Sequence, residues 1–85
     1  MSIRYDPEVD AAYITIGRDL LPGEAAAQVA DIRDPRGDGE IILDFDSEGY
    51  LLGIEVLHAS RLLRAEDLDG ATRPRSSWGN GRIDD

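Results

Sequence analysis

Five residues near the middle of the chain have the types and spacing of a calcium-binding loop. Asp44, Asp46, Glu48, Gly49 and Glu55 fall at positions 1, 3, 5, 6 and 12 of such a loop. That motif supplies oxygen ligands from positions 1, 3, 5 and 12 and needs glycine at 6 for a sharp turn. Leu51 also fits its apolar eighth position. The surroundings fit a different structure. A calcium loop of this kind is entered from a helix, and Asp34-Pro35-Arg36-Gly37-Asp38-Gly39 breaks any helix just upstream. Glu48 is longer than the usual ligand at its position, and Leu52 offers no oxygen at the ninth. The flanking residues have strand composition, so the run reads as a β-hairpin.

A looser carboxylate cluster is the second chemistry on offer. If two hairpins pack side by side, Asp6, Asp10, Asp44, Asp46 and Glu55 converge. Within that group Asp44, Asp46 and Glu55 form the candidate divalent-metal set, since clustered carboxylates hold such ions or divide into an acid and a base. Each has a plainer role. Asp6 and Asp46 begin turns, Asp10 ends one, and Asp44 faces solvent. Glu55 is the exception, an acid within the apolar run Gly53-Ile54-Glu55-Val56-Leu57. A buried carboxylate needs a partner, and Arg4 or Arg61 would make a structural ion pair. His58 is the single histidine, and at a strand-to-helix junction it reads as a cap or surface residue. The glycines at 37 and 39 lead into a strand, so no phosphate-cradling loop is present. No cofactor and no catalytic set is indicated.

The elements that position these residues must come from 85 residues, enough for one small domain. A chain this short buries only about 60% of its unfolded surface and usually depends on a disulfide, a metal or a partner chain. With no cysteine, disulfides and thiol-ligated zinc are excluded. Eighteen acids against nine bases, every base an arginine, give a net charge of −9. That balance argues against nucleic acid and against anionic membrane surfaces. An acidic surface can also attract a basic protein, which stands as a secondary partner expectation. The first residues lack a signal peptide's apolar region, and no apolar run has the ~20 residues of a membrane span. A cytoplasmic location is expected.

Residues 3–6 read as a short strand, Asp6-Pro7-Glu8-Val9 as a turn, and 11–16 as a second strand by alternation. Residues 27–33 fit a short edge strand despite their alanines. The second hairpin has strands at 40–46 and 50–57 around Asp46-Ser47-Glu48-Gly49, the signature of a type I turn ending in a left-handed glycine. That turn pairs Asp46 with Tyr50 and Ile42 with Ile54. Ile42, Leu52, Ile54 and Val56 then share one face, and Ile41, Leu43, Phe45 and Leu51 the other. Glu55 falls opposite Ile41, where an arginine or a backbone N–H must meet it. On that reading Glu55→Gln costs about 1–3 kcal/mol. Ala59, Leu62 and Leu63, with Leu68 as an extension, recur at helical spacing. From residue 65 the chain reads as a flexible tail, with Trp78 isolated in it.

Tyr5-Asp6-Pro7-Glu8 echoes Phe45-Asp46-Ser47-Glu48 forty residues later, and the same offset aligns Ala12, Ile14 and Ile16 with Leu52, Ile54 and Val56. Shared turn chemistry and duplication both account for this. The blocks Tyr5-Asp6-Pro7-Glu8-Val9-Asp10 and Asp46-Ser47-Glu48-Gly49-Tyr50-Leu51-Leu52-Gly53-Ile54-Glu55 also resemble a family of short prokaryotic proteins catalogued only as a domain of unknown function. The resemblance covers about residues 3–63 and implies a small β-sheet domain with a terminal helix, without any activity or catalytic residue. The expected architecture is α+β: one domain over residues 1–64, a mostly antiparallel sheet of about five strands with one short C-terminal helix, and a tail over 65–85. The expected function is a non-enzymatic module that self-associates as a homodimer. A small metal-binding protein or metal-dependent enzyme using Asp44, Asp46 and Glu55 is the alternative.

Overall fold

The computed structural model describes residues 1–18, 21 and 23–73. Five strands, β1 (Ser2–Asp6), β2 (Ala11–Thr15), β3 (Ala27–Arg33), β4 (Glu40–Phe45) and β5 (Leu51–Leu57), precede two short helices, α1 (Ala59–Leu62) and α2 (Ala65–Asp69). The strands form one antiparallel sheet in the order β1-β2-β5-β4-β3. The α+β class and the five strands agree with the sequence reading. The single C-terminal helix is instead two helices broken at Leu63, whose backbone is extended. Residues 65–69, expected in a loose tail, are α2, and structure continues beyond it to residue 73. Trp78 lies outside the described residues. Among the described residues, no helix is long and apolar enough to cross a membrane.

Both hairpin turns use an aspartate in the same way. The Asp6 carboxylate accepts the Glu8 N–H at 3.0 Å, and the Asp46 carboxylate accepts those of Glu48 and Tyr50, each at 2.9 Å. Local side-chain acceptors of this kind stabilise turns directly. Gly49, at φ 91°, completes the second turn in the left-handed region that other residues adopt at a cost. The forty-residue echo is therefore expressed as one turn chemistry used twice.

The register beyond that second turn differs from the expected one, and the difference matters. The Asp46 N–H donates to the Tyr50 carbonyl at 2.9 Å, in keeping with the expected pairing at the turn. Phe45 then pairs with Leu51 but Asp44 with Gly53, so β5 carries one extra residue in a bulge. Such an insertion displaces the rest of the ladder by one position. Leu43 now pairs with Ile54, Ile42 with Glu55 and Ile41 with Val56. A one-residue slip exchanges faces, because side chains alternate with period two. Ile41 and Leu43 thus join Ile54 and Val56 on one face, and Glu55 moves to the other.

That apolar face holds the core. Tyr5, Ala12, Val56, Ala59 and Leu68 are buried, with Ile3, Ile14, Ile54, Leu62, Leu63 and Ala71 packed around them. The helices lie over the β1-β2-β5 side. Toward β4 and β3 the same face continues through Leu43 and Phe45, which are half-buried, and Val29, which is 48% exposed.

Candidate functional site

The face opposite the helices concentrates the polar chemistry. Antiparallel pairing sets Tyr13 beside Glu55, and Glu55 beside Ile42. The next row runs from Thr15 through Gly53 and Asp44 to Gln28. Asp44, expected to face solvent, is only 6% exposed. One of its carboxylate oxygens accepts the Tyr13 hydroxyl and the other the Gln28 amide, each at 2.8 Å. Burying a carboxylate is tolerable when both oxygens are hydrogen-bonded in this way.

Gly53 makes the arrangement fit. Tyr13 reaches Asp44 by laying its ring across the Gly53 backbone, and a Cβ on Gly53 would come within 2.6 Å of the ring carbon Cζ. The glycine is required by this close approach. Burial first, then the hydrogen bond to Asp44 and the charges of Asp44 and Glu55, push the Tyr13 hydroxyl pKa strongly upward. Tyr13 is held as a neutral donor, the state Asp44 needs.

Glu55 sits beside this network without entering it. Its cross-strand neighbours are Tyr13 and Ile42, and Glu40 and Asp44 flank Ile42 two residues to either side. Among the described residues no arginine and no backbone N–H donates to it, so the expected partner is absent and the ion-pair reading of Glu55 is corrected. The β5 bulge accounts for its acidic neighbours, because it turns Glu40 and Asp44 of β4 toward the face that Glu55 occupies. Half-burial first, then the charges of Asp44 and Glu40, raise its pKa above the ordinary carboxylate value.

The structure brings together two of the three candidate metal residues. Asp44 and Glu55 share the polar face, whereas Asp46 lies in the β4–β5 turn with its Oδ1 engaged by two backbone N–H groups. Among the described residues no group of three or more His, Asp or Glu side chains is placed to hold a metal ion. Tyr13, Gln28 and Gly53 are the members of the network that motif reasoning passed over. A glycine inside a strand was the available signal, since it often marks a close approach of another group.

A second polar centre forms where the β1–β2 turn meets α1. Asp10, at φ 54°, receives the Tyr5 hydroxyl at 2.8 Å, the Ser60 N–H at 2.9 Å and the Ser60 hydroxyl at 2.7 Å. Its carbonyl also accepts the Ala59 N–H at 2.9 Å. His58 precedes α1 in the left-handed conformation and makes no side-chain cap. Asp10, fifty residues away in sequence, caps the helix in its place. Burial pushes the Asp10 pKa up, but the bonds from Ser60 and Tyr5 and the His58 charge together hold it below the ordinary value. Both centres thus have structural roles. Asp44 anchors the polar face, and Asp10 ties the first hairpin to α1.

No curated protein and no solved structure matches this chain. One family model matches residues 2–60, which span the whole sheet, the Asp10 cap and both partners of Gly53. The chain belongs to that family, described as "Protein of unknown function (DUF2283)".

Proposed function

We propose that this protein is a non-enzymatic module that self-associates through the part of its apolar sheet face outside the helices. The carrying observation is the continuation of that face past the core, through Val29, Leu43, Phe45 and Leu51. Register places these residues on the helix side, yet Val29 is 48% and Leu51 36% exposed. At one end the patch meets a shallow hollow where Ile16, Leu51 and Leu52 adjoin the charged Arg18, Glu24 and Asp46, a polar rim to the apolar surface. Contiguous exposed apolar surface of this kind favours association. Among the described residues five apolar side chains are buried, a small core, so covering the patch adds burial that a short chain lacks.

The sheet edges support a face-to-face arrangement. β3 is bulged between Val29 and Ile32, with Asp31 at φ 66° and its N–H bonded to the Glu40 side chain at 3.0 Å. A kinked, charged edge resists strand addition. The other edge, β1, is bridged by Thr72. A second copy is the favoured occupant because an isologous pair covers the same patch on both chains at once.

Sedimentation from low to high micromolar concentration tests this reading. A dimer is expected for the natural chain, and a folded monomer for Phe45→Glu. A compact natural monomer throughout that range overturns the proposal.

A further inference from the structure

The helical half of the molecule has little to hold it in place by itself. α1 is four residues long and α2 five, each far short of the length at which an isolated helix persists. Neither N-cap residue, His58 nor Arg64, makes a side-chain cap. The bonds that secure the helices come from other elements, and Tyr5 of β1 is their common anchor. Its hydroxyl donates at 2.8 Å to Asp10, the residue that caps α1 through the Ser60 N–H. Its N–H donates to the Thr72 carbonyl at 2.8 Å, and the Thr72 N–H donates to the Ile3 carbonyl at 2.9 Å. The Arg73 guanidinium carbon stands 5.1 Å from the Tyr5 ring centroid. Arg73 also donates to the Leu68 and Ala71 carbonyls at 2.9 and 3.3 Å, closing the end of α2. One residue of β1 thus ties down both ends of the segment 59–73.

The sheet is held separately. On its opposite face Tyr13, Asp44 and Gln28 clip β2, β4 and β3 together across β5, through bonds that involve no helix residue. The family match takes in every strand and stops at residue 60, two residues into α1. Between β5 and α1 stands a single residue, His58, at φ 57°. We propose that residues 59–73 are a lid over the β1-β2-β5 half of the apolar face, which opens and closes as one body about His58 while the sheet stays paired. A residue with a side chain is strained in the left-handed conformation, so closure strains the hinge and opening releases it. Closed, the lid encloses Ala12 and Val56 in one cluster with its own Ala59 and Leu68. Open, it leaves them as a continuation of the exposed patch on β4 and β3. The lid does not depend on the self-association proposed above, which uses the part of that face outside the helices.

Native-state hydrogen exchange of the full-length protein in low urea tests this. The Tyr5, Ala59, Leu63, Leu68 and Thr72 amides all make bonds within the lid or between it and the rest of the chain. They are expected to share one opening free energy and one shallow urea slope, both smaller than those of the β4–β5 ladder amides. Arg73→Ala removes the ring contact and both bonds at the end of α2, and should speed exchange of all five amides alike, by about fivefold. Ser60→Ala acts at the other end of the segment, where it removes the hydroxyl bond to Asp10 at 2.7 Å. It should have the same uniform effect, reaching Tyr5 and Thr72. If Arg73→Ala does not fold, the Ser60→Ala comparison decides alone. Exchange that is faster only beside the substituted residue shows separate local fraying and overturns the single body. Lid amides with the same free energy and slope as the ladder amides show no opening short of global unfolding and overturn the lid.

Discussion

Replacing Glu55 with glutamine should stabilise the protein at neutral pH. The carboxylate has no donor among the described residues, and Asp44 and Glu40 flank its cross-strand neighbour Ile42. Diagonal neighbours across an antiparallel pair lie about 7 Å apart. Two unit charges at that distance repel by about 0.6 kcal/mol in bulk water and about 2 kcal/mol at the effective dielectric near a protein surface. Glu55 is half-exposed, so solvent screening keeps each interaction toward the lower figure. Removing its charge against both neighbours should gain on the order of 1 kcal/mol at pH 7. The raised folded pKa fixes the pH dependence. Native Glu55 holds its proton to higher pH than the unfolded chain does, so folding stability falls as pH rises from about the ordinary value of 4.5 through the folded pKa. The advantage of Glu55→Gln should therefore be present at pH 7 and shrink as pH falls toward 4. Urea titrations followed by circular dichroism at both pH values measure it. A Glu55→Gln chain less stable than the natural one at pH 7 would show that Glu55 has a donor, and a gain that does not change with pH would show that its charge is not the cause; either refutes this reasoning.

Two further substitutions probe the polar centres. Gly53→Ala should destabilise the fold by about 1–3 kcal/mol, the range for forcing a group into a filled site, and Tyr13→Phe should relieve only part of that loss because the ring carbons still crowd the added methyl and Asp44 loses one of its two donors; a double-mutant cycle in urea measures the coupling. Asp10 has a depressed folded pKa, so its contribution is present above the ordinary value of 3.8 and is lost as pH falls through the folded pKa; Asp10→Asn should lower stability at pH 7 and flatten the acid limb of the stability–pH curve.

The strand content, the hairpin turns and the α+β class were legible in the chain because each is written in local chemistry. Alternation marked β1 and β2, the aspartates at 6 and 46 marked the turns, and Gly49 supplied the left-handed residue the second turn needs. The edge strand over residues 27–33 was also recoverable from its weak alternation, although its alanines favour helix locally, because tertiary pairing overrides propensity.

What the sequence did not determine was everything downstream of one residue of register. The extra residue in β5 leaves no distinct local signature, since the Asp46–Tyr50 pairing is satisfied before the bulge begins. Yet it decides which β4 side chains share a face with Glu55, and so sets the carboxylate among Glu40, Ile42 and Asp44 instead of beside Ile41, Leu43 and Phe45. The Tyr13–Asp44–Gln28 network and the Asp10 cap on α1 join residues 16 to 50 positions apart. Such contacts exist only once the sheet has closed. The break between α1 and α2 and the Thr72 bridge to β1 were hidden for the same reason. Residues 65–73 are polar and weakly periodic by themselves, and they are ordered by what they pack against: Leu68 by the core, and Thr72 by the open hydrogen-bonding groups of a strand about seventy residues earlier in the chain.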